Sequence, residues 1–353
     1  MKKMDEFVQH SLNRRSFLKL SGLLGLGVAS AGVLPMGAEA VRFNPNMMKV
    51  SKTRLAMGTF VSMTLVHPSK DQAEEAMGQA FYEIDRLSGL LSRFDEQTAV
   101  AQLNREGRLK DVPHELARVV ATALDYHRVT RGCFDITVKP VVDLFRDKLG
   151  GEEKVKPTGK ELAQVLKLVG SEKIRMQERA LFFEQPGMGI TLDGIAKGYI
   201  VDRASQALTK LGIENHLINA GGDIRTRGSK AGNKPWMVAI QDPSKRSNYP
   251  DVIRMRDGAV ATSGDYEIYF DREKMFHHII NPKTGLSPEL STSVSILAPT
   301  TMEADALATS VFVMTPEEGT RLINGMPNCE SLVVARSGRI SKSNGWTSIS
   351  KRH

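Results

Sequence analysis

The chain is poor in cysteine, and beyond residue 40 it contains no long apolar run. Cys133 and Cys329 are the only cysteines among 353 residues, so neither a disulfide framework nor the Cys/His spacing of a zinc site is present. We expect both thiols to be free. No stretch beyond residue 40 approaches the roughly 20 apolar residues that a membrane span requires. Residues 50–345 also lack repeats and low-complexity linkers, which favours a single domain over that range.

The charge of the chain is only mildly basic. The formal net charge is +8, and it falls to +6 when residues 1–40 are set aside. The positive charges are interspersed with acids, and no basic stripe with interleaved aromatics occurs, so the sequence does not predict nucleic-acid binding. A modest positive field of this kind favours an anionic small molecule.

The first 40 residues have the pattern of an export signal. Arg14 and Arg15 form a twin-arginine motif within Asn13–Lys19, a small-residue apolar run extends from Leu20 to Leu34, and Ala38-Glu-Ala40 fits a signal peptidase. The apolar run is shorter than the roughly 20 residues of a membrane anchor. We therefore expect residues 1–40 to engage the twin-arginine export machinery and to be cleaved, which would leave a soluble periplasmic protein.

Helical spacing is clearest in the first half of the chain. Ser69 and Gln72 form a capping-box pattern, and apolar residues then recur at helical spacing as far as Leu91. Further helices are expected around Leu116–Ala123 and Leu162–Leu166. Another is expected to begin after Gly194 and to stop at Gly212.

Strand signals dominate the second half. Val61, Met63 and Leu65 alternate with polar residues in one early strand. Asp257-Gly258 lies between two strand-like runs, which predicts a hairpin of residues 252–256 with 259–262, and residues 266–270 with 275–280 predict another. Antiparallel strands with surrounding helices predict an α+β fold with mixed, mainly antiparallel sheets.

One segment has the form of an anion-binding site. In Thr191–Asp202 an apolar run breaks at Asp193-Gly194 and restarts as a helix, whose N-terminal N–H groups suit phosphate. Taken alone, a plain strand-turn-helix connection accounts for the pattern equally well. Four more clusters mix glycine with compact polar residues, and these are Asn219–Arg225, Ala261–Tyr266, His277–Gly285 and Glu303–Thr309.

Together and in this order, the clusters resemble the FAD:protein FMN transferase family, also called ApbE. The resemblance runs from about Met57 to about Met314. It implies Mg²⁺-dependent transfer of FMN from FAD to a Thr or Ser hydroxyl of an exported or membrane flavoprotein, with release of AMP. It also implies an acceptor such as an FMN-binding subunit of a respiratory or ion-pumping complex. An FAD-binding carrier without turnover and an FAD pyrophosphatase that uses water remain open alternatives.

The resemblance also implies cofactor-binding residues. They are Met57, Phe94, Asn104, Cys133, Phe134, Asp135, Asp193, Lys197 and Ile280. Without the resemblance, Met57-Gly-Thr59 is a glycine bulge that starts a strand, Phe94 is a core residue, and Asp135 is a cap or turn residue. The chain departs from the family pattern at Phe94, where relatives often have tyrosine, and at Thr191 and Asp193, where they have aspartate and glycine.

The implied metal site consists of oxygen donors. Asp305 and Thr309 are four residues apart on a predicted helix and therefore share one face, and both offer hard oxygen atoms. The resemblance adds the carbonyl oxygen of Gly194 as the third Mg²⁺ ligand. The structural alternative is an acid in the first turn of the helix and a buried threonine.

His278 is the expected general base. Imidazole titrates near neutrality and can accept the proton of a hydroxyl nucleophile, and relatives carry histidine at this place. His277 alternates to the other strand face and is expected to be solvated. Asn281 replaces the family's acid before Pro282, and we expect it to retain turn chemistry without the charge.

Overall fold

The structure is a computed structural model that describes residues 39–44, 46–150, 155–243, 249–265 and 279–348. The strands are β1 Glu39–Asn44, β2 Met47–Ala56, β3 Thr59–His67, β4 Arg108–Leu109, β5 Ile174–Gln177, β6 Ala180–Phe183, β7 His216–Ala220, β8 Asp223–Arg227, β9 Trp236–Ile240, β10 Asp251–Met255, β11 Gly258–Gly264, β12 Ser291–Ala298, β13 Glu330–Ala335 and β14 Ile340–Lys342. The helices are α1 Lys70–Leu91, α2 Ala99–Glu106, α3 His114–Val129, α4 Lys139–Gly150, α5 Gly159–Leu166, α6 Ala196–Lys210, α7 Thr301–Val313 and α8 Pro316–Asn324.

One large antiparallel sheet organises the molecule. Its nine strands follow the order β1-β2-β3-β7-β8-β11-β12-β13-β14. Strands β9 and β10 form a separate pair, and β4, β6 and β5 form a third sheet. Every strand pairing in the described residues is antiparallel. Together with the helices, this confirms the predicted α+β fold with mainly antiparallel sheets.

Helix α1 follows the predicted apolar spacing, with one change at its start. The hydroxyl oxygen of Ser69 accepts a hydrogen bond from the Gln72 backbone N–H at 3.2 Å, as a capping box requires. The Gln72 side chain does not complete the box, because its Nε2 donates to the carbonyl of Leu211 at 3.2 Å. That bond instead ties the start of α1 to the end of α6.

The other predicted helices are confirmed at α3, α5 and α6. Helix α6 ends at Lys210, and Gly212 follows with a φ of +81°, the left-handed conformation expected after a helix end. Both cysteines are free, as predicted. Within the described part of the chain, no helix has the length and apolar character to cross a membrane.

Helix α7 is buried around nearly its whole circumference. Eleven of its thirteen residues are buried, and Glu303 and Thr309 are half-buried. It packs against α6 and against strands β11 and β12. A carboxylate in such a helix requires polar partners, so Asp305, with only 5% of its surface exposed, is an informative exception to the apolar surroundings.

The predicted hairpin around Asp257-Gly258 is wrong. Both strands form, but β10 pairs with β9, whereas β11 pairs with β8 and β12. The Asp257 carboxylate accepts from the N–H of Gly228, and Gly258 is already paired with Thr226. Turn residues indicate a chain reversal but do not choose the strand partners. The predicted hairpin of residues 266–270 with 275–280 lies almost entirely outside the described residues, and the two described residues, Ile279 and Ile280, are not in a strand.

A buried histidine joins α6 to β7. His216 is fully buried; its Nδ1 lies 3.0 Å from the carbonyl oxygen of Ile213, and its Nε2 lies 2.7 Å from the Ser205 hydroxyl. Since a carbonyl oxygen only accepts, Nδ1 carries the hydrogen and Nε2 accepts from Ser205. Burial lowers the pKa of His216 to about 4, so the folded protein holds this ring neutral.

We expect this histidine to make the protein acid-sensitive. Below the unfolded pKa of about 6.5, the unfolded chain binds a proton that the folded chain does not, until the pH reaches about 4. The free energy of unfolding should therefore fall by about 3 kcal/mol across that range. Urea unfolding at pH 7.5 and 4.5 measures the change. His216→Gln, which cannot titrate, should lose less stability between these pH values, and an unchanged slope would contradict the assignment.

Candidate functional site

Two tight turns lie side by side at one end of the large sheet. Met57-Gly58 joins β2 to β3, and Gly221-Gly222 joins β7 to β8. All four residues have positive φ, as two-residue type I′ hairpins require. Strand β3 pairs with β7 near these turns, and a Cβ on Gly221 would lie 2.5 Å from the Thr59 hydroxyl. The segment Met57-Gly-Thr59 is thus a hairpin turn and not the glycine bulge of the structural alternative.

Met57 adopts a backbone conformation that non-glycine residues avoid. Its φ is +52°, which costs a residue with a Cβ roughly 1–2 kcal/mol. The side chain packs against the main core. The type I′ hairpin turn itself requires this conformation, so the cofactor contact that the resemblance implies for Met57 stays a prediction.

The N-terminus of α6 points to the same end of the sheet. The Nζ of Lys197 lies 3.1 Å from Oδ2 of Asp223, which follows the Gly221-Gly222 turn directly and is only 2% exposed. Burial raises the pKa of Asp223, and the Lys197 charge opposes that shift. Lysine in the first turn opposes the helix dipole, so the buried carboxylate compensates a charge that the helix alone disfavours.

Helices α6 and α7 approach each other through two glycines. The Gly198 N–H donates to Oδ2 of Asp305 at 3.1 Å. A Cβ on Gly194 would lie 2.8 Å from the Thr309 Oγ1, and that hydroxyl also lies 3.4 Å from Oγ of Ser263 in β11. The predicted i, i+4 pair on α7 therefore faces the start of α6, with Asp305 at Gly198 and Thr309 at Gly194 in the preceding turn.

The donor set at this place suits magnesium. Asp305 and Thr309 bring a carboxylate and a hydroxyl to this place, and the resemblance adds the Gly194 carbonyl; all are hard oxygen donors, which Mg²⁺ prefers together with several water or phosphate oxygens. A side chain on Gly194 would fill the space beside Thr309. The residues present thus fit the metal that the resemblance implies.

A second group of possible metal ligands does not suit magnesium. One ligand atom each from His127, Asp135 and Glu172 lies within 4.8 Å of the others. The Nδ1 of His127 is 3.1 Å from Oδ2 of Asp135, and Nε2 is 3.5 Å from the Glu172 carboxylate. The hydrogen bond to Asp135 raises the pKa of His127, because it stabilises the protonated ring. The contact between these two side chains is therefore that of an ion pair. Imidazole also suits transition metals better than Mg²⁺.

Phe94 is exposed, contrary to its interpretation as a core residue. The residue is 73% exposed, and the guanidinium carbon of Arg93 lies 4.3 Å from the centroid of its ring. Arg93 also contacts Asp193, with Nη2 and Oδ2 3.0 Å apart. The carboxylate of Asp193, which stands where the family has glycine, therefore contacts Arg93.

Asn104 supports the segment that leads into the loop before α6. Its Nδ2 donates to the carbonyl of Ile190 at 3.0 Å, and its Oδ1 accepts from the N–H of Ile190 at 2.6 Å. Beside it lies a cleft of about 400 Å³, whose lining includes Lys139, Asp143 and Gly189. The amide therefore holds the backbone next to a space large enough for part of a nucleotide.

The side chains of three predicted cofactor-binding residues are buried in the protein interior. Phe134 is buried with its ring edge-on to Tyr126, at a centroid distance of 6.4 Å, and Ile280 is buried in a small apolar cluster with residues of α4. The Asp135 carboxylate accepts from the N–H and hydroxyl groups of Thr137 and Ser171. The Asp135 side chain therefore acts as a cap, which was the interpretation without the resemblance. Because the side chains of Phe134 and Ile280 are buried, these two residues can contact a ligand only through their backbones.

These bonds also fix the charge of Asp135. Burial raises the pKa of Asp135, but hydrogen bonds from His127, Thr137 and Ser171 outweigh it and hold the pKa below its usual range. The adjacent Cys133 is half-buried and packs against the α7 side of the core. The loop is thus held by a buried, ionised carboxylate.

The turn after the candidate base has the expected chemistry. Oδ1 of Asn281 accepts from the N–H of Lys283 at 2.9 Å, and its carbonyl accepts from Gly285 at 2.8 Å. This Asx-turn confirms that asparagine retains turn chemistry here. His277 and His278 lie outside the described residues, so the role of His278 stays a prediction.

The sequence interpretation missed three residues that contact predicted site residues: Arg93 contacts Asp193, Asp223 contacts Lys197, and His127 contacts Asp135. Asp223 stands inside the cluster Asn219–Arg225, next to two glycines, and Arg93 is adjacent to Phe94. Their positions next to predicted site residues were the only indication in the sequence that these two residues belong near the site. Nothing in the sequence near His127 indicated its carboxylate partners, because they come from a loop and from a 3₁₀ turn at Ser171–Lys173.

Comparison with known proteins assigns the family. The model of the ApbE family matches residues 57–333. The chain belongs to the ApbE family. It is 36% identical over 232 residues to the FAD:protein FMN transferase of Haemophilus influenzae, a match that covers 64% of this chain and 65% of that relative. It is also 33% identical over 246 residues to the FAD:protein FMN transferase of Vibrio cholerae, a match that covers 67% of this chain and 74% of that relative. The chain thus spans just under two thirds of the length of the Haemophilus relative.

Solved structures of ApbE proteins share the fold. The crystal structure of the ApbE protein of Thermotoga maritima has a TM-score of 0.76 at 30% identity, and the match covers 84% of this chain and 97% of that one. The flavin transferase ApbE of Vibrio cholerae has a TM-score of 0.74 at 27% identity, with coverages of 87% and 98%. The α+β architecture described above is therefore the ApbE fold.

The two glycines between α6 and α7 should respond differently to alanine in this ApbE-family chain. At Gly198 the new Cβ would lie 2.4 Å from the carbonyl oxygen of Thr301, which is backbone and cannot rotate away. We expect Gly198→Ala to lower the free energy of unfolding by about 2 kcal/mol or more, because overpacking outweighs the roughly 1 kcal/mol gain in helix propensity. Urea unfolding tests this, and an unchanged midpoint would contradict the described α6–α7 contact.

Gly194→Ala serves as the comparison. The three atoms nearest its new Cβ belong to the Thr309 side chain and not to backbone, so the loss of stability should be smaller than for Gly198→Ala. The displaced hydroxyl should instead raise the Mg²⁺ concentration needed for half-maximal activity.

Proposed function

We propose that this protein transfers FMN from FAD to a Thr or Ser hydroxyl of an acceptor protein, in a Mg²⁺-dependent reaction that releases AMP. The activity itself, FAD:protein FMN transfer, is supported by family membership and by relatives with that name at up to 36% identity. The Mg²⁺ requirement, the type of acceptor and the release of AMP extend beyond those names. One observation supports the metal requirement: on one face of α7, Asp305 contacts Gly198 in the first turn of α6 and Thr309 faces Gly194 just before that helix.

In this proposal, different groups near the start of α6 bind the metal ion and the FAD pyrophosphate. Asp305, Thr309 and the Gly194 carbonyl would hold Mg²⁺, which when bound supplies charge neutralisation at the FAD pyrophosphate. The N–H groups at the start of α6 and the Lys197 ammonium favour the same anion. Positioning of the phosphate and electrostatic stabilisation then provide most of the acceleration.

His278 activates the acceptor hydroxyl in this proposal. The imidazole takes the hydroxyl proton, the oxygen attacks the FMN-side phosphorus, and the bond to the AMP phosphate breaks. The segment after His278 is held by the Asn281 turn.

Two other outcomes remain as alternatives, and one experiment separates them. Residues 41–353 are incubated with FAD, Mg²⁺ and a purified FMN-binding subunit of a membrane complex, and AMP, free FMN and in-gel flavin fluorescence are followed. The proposal expects AMP together with a fluorescent acceptor band. Free FMN and AMP without labelled protein would indicate a pyrophosphatase, and bound FAD without AMP would indicate a carrier.

The acceptor is proposed to lie on the outer face of the cytoplasmic membrane. The support is the twin-arginine pattern of residues 1–40, which predicts export to the periplasm. An FMN-binding subunit of a respiratory or ion-pumping complex would meet the enzyme there.

Export depends on the two arginines of the signal. Changing Arg14 and Arg15 to lysine together should leave unprocessed precursor in the cytoplasm, because the twin-arginine machinery reads that pair. Cell fractionation and immunoblotting measure the precursor and mature forms. Normal processing and localisation of the double variant would show that residues 1–40 have been misinterpreted.

A further inference from the structure

We propose that Arg93 is a positioning residue that fixes the Phe94 ring as the stacking surface for the flavin, and that Asp193 holds Arg93 in place. The inference rests on the proposed function, because it takes FAD as the ligand. Its new content is the assignment of roles to Arg93 and Asp193.

Phe94 is exposed on a loop whose backbone is tied by local hydrogen bonds. The Phe94 N–H donates to the Ser92 hydroxyl at 3.1 Å, and the Thr98 hydroxyl donates to the carbonyl of Ser92 at 2.7 Å. A single exposed aromatic residue is common and by itself indicates nothing. Here, however, the ring is held on a fixed loop and one of its faces is already occupied.

Arg93 occupies that face. Its guanidinium carbon lies 4.3 Å from the ring centroid, within cation–π range, and its side chain is only 9% exposed. With 73% of the Phe94 surface exposed, the opposite face is open to a planar ligand. Stacking needs only the ring face, so the ring suits an isoalloxazine although it lacks a tyrosine hydroxyl.

Asp193 and Asp143 fix the guanidinium from its edge. Both Nε and Nη2 of Arg93 donate to Oδ2 of Asp193, at 3.2 and 3.0 Å, whereas Nη1 is 3.9 Å from Asp143. Asp143 is also paired with Lys139 and Arg146, so Asp193 is the closer and more exclusive partner. A planar guanidinium held at its edge keeps its face on the aromatic ring.

This contact accounts for a departure from the family pattern. Arg93 and Asp193 are 100 residues apart, in two segments that the family resemblance places around one cofactor. Glycine is the expected residue where Asp193 stands, and glycine could not hold an arginine. Asp193 therefore acts on FAD through Arg93 and Phe94, and not by contacting the adenosine side.

Titration of the protein with FAD tests the chain of contacts. The readouts are the dissociation constant and the change in the visible absorption band of the flavin, which stacking on a ring perturbs. Phe94→Ala should weaken binding about tenfold and remove most of the band change. Arg93→Ala should weaken binding about fivefold and reduce the band change although the ring remains. Arg93→Lys should restore little, because an ammonium lacks the planar fork.

The role of Asp193 is tested by a double-mutant cycle. Asp193→Asn should weaken FAD binding about threefold, since it loosens Arg93. The double variant Arg93→Ala/Asp193→Asn should bind no more weakly than Arg93→Ala alone, because Asp193 acts only through Arg93. Additive losses would overturn this role and assign Asp193 a direct contact with the ligand. The Asp193 side chain is 46% exposed, so this variant should fold even if removal of Arg93 proves destabilising.

A matched control exists elsewhere in the chain. Arg54 lies over the ring of Phe81 at 4.9 Å and pairs with Asp85 at 3.1 Å, but that ring is buried. Arg54→Ala should leave FAD affinity and the change in the flavin absorption band unaltered. The inference is overturned if Arg93→Ala behaves like Arg54→Ala, or if Phe94→Ala gives the affinity and band change of the wild type. Failure of the wild-type protein to bind FAD would instead overturn the proposed function as well, so the two failures are distinguishable.

Discussion

Asp305→Asn should lower Mg²⁺-dependent FMN transfer by roughly 10²-fold or more, a loss comparable to that of one preorganised electrostatic group in other enzymes. Asparagine retains an oxygen that can accept from the Gly198 N–H, but it removes the charge that would bind the metal. The apparent Mg²⁺ requirement should rise in parallel. Initial rates over a Mg²⁺ titration, with saturating FAD and acceptor, give both values.

Asp305→Ala separates the metal role from the structural one. It leaves the buried Gly198 N–H without its partner, so it should also lower the free energy of unfolding by about 1–3 kcal/mol. Asp305→Asn should not cause that loss of stability. Glu303→Gln is the matched control, because this acid on the same helix faces Tyr126 and Cys329. Wild-type rate and Mg²⁺ requirement in Asp305→Asn would show that Asp305 is not a ligand.

His278→Ala should reduce transfer by roughly 10² to 10⁴-fold, the usual contribution of a positioned general base. FAD binding should remain nearly normal, because the proposal assigns the pyrophosphate to Mg²⁺ and to the N–H groups of α6. Transfer by the unmutated protein should also decline as the pH falls through the imidazole pKa, since only the neutral ring accepts a proton. Single-turnover transfer rates and FAD dissociation constants, each measured across pH 5–8, test both parts.

His277→Ala is the control for the adjacent position. If the two histidines alternate along a strand, only His278 faces the site, and the His277 variant should keep its activity. Equal losses of FAD affinity and of transfer in His278→Ala would indicate a binding role, and the base assignment would then be withdrawn.

Local patterns in the sequence predicted much of the fold. The apolar spacing from Ala73 to Leu91 gave α1, and the break at Asp193-Gly194 gave the start of α6. Asp305 and Thr309 were placed on one helix face, and α7 confirms that geometry. These features depend on residues within a few positions of each other, so they can be predicted without tertiary contacts.

The errors concern contacts between distant segments. Asp257-Gly258 predicted a hairpin turn, but the chain only bends at Arg256-Asp257, and the partners of β10 and β11 are chosen by the packing of whole sheets. The pairing of Arg93 with Asp193 spans 100 residues, and the exposure of Phe94 contradicts only the core interpretation that applied without the family resemblance. No local periodicity contains that information, and a family pattern with glycine at the Asp193 position could not supply it.

The central claim, covalent transfer of FMN, is tested most directly by the chemistry of the acceptor. Residues 41–353 are incubated with FAD and the acceptor in the presence of Mg²⁺ or of excess EDTA. Mass spectrometry of the digested acceptor is then compared with the AMP released. The proposed function predicts one FMN phosphoester on a Thr or Ser for each AMP, with Mg²⁺ only. AMP release without a modified peptide, or equal modification in EDTA, would contradict it.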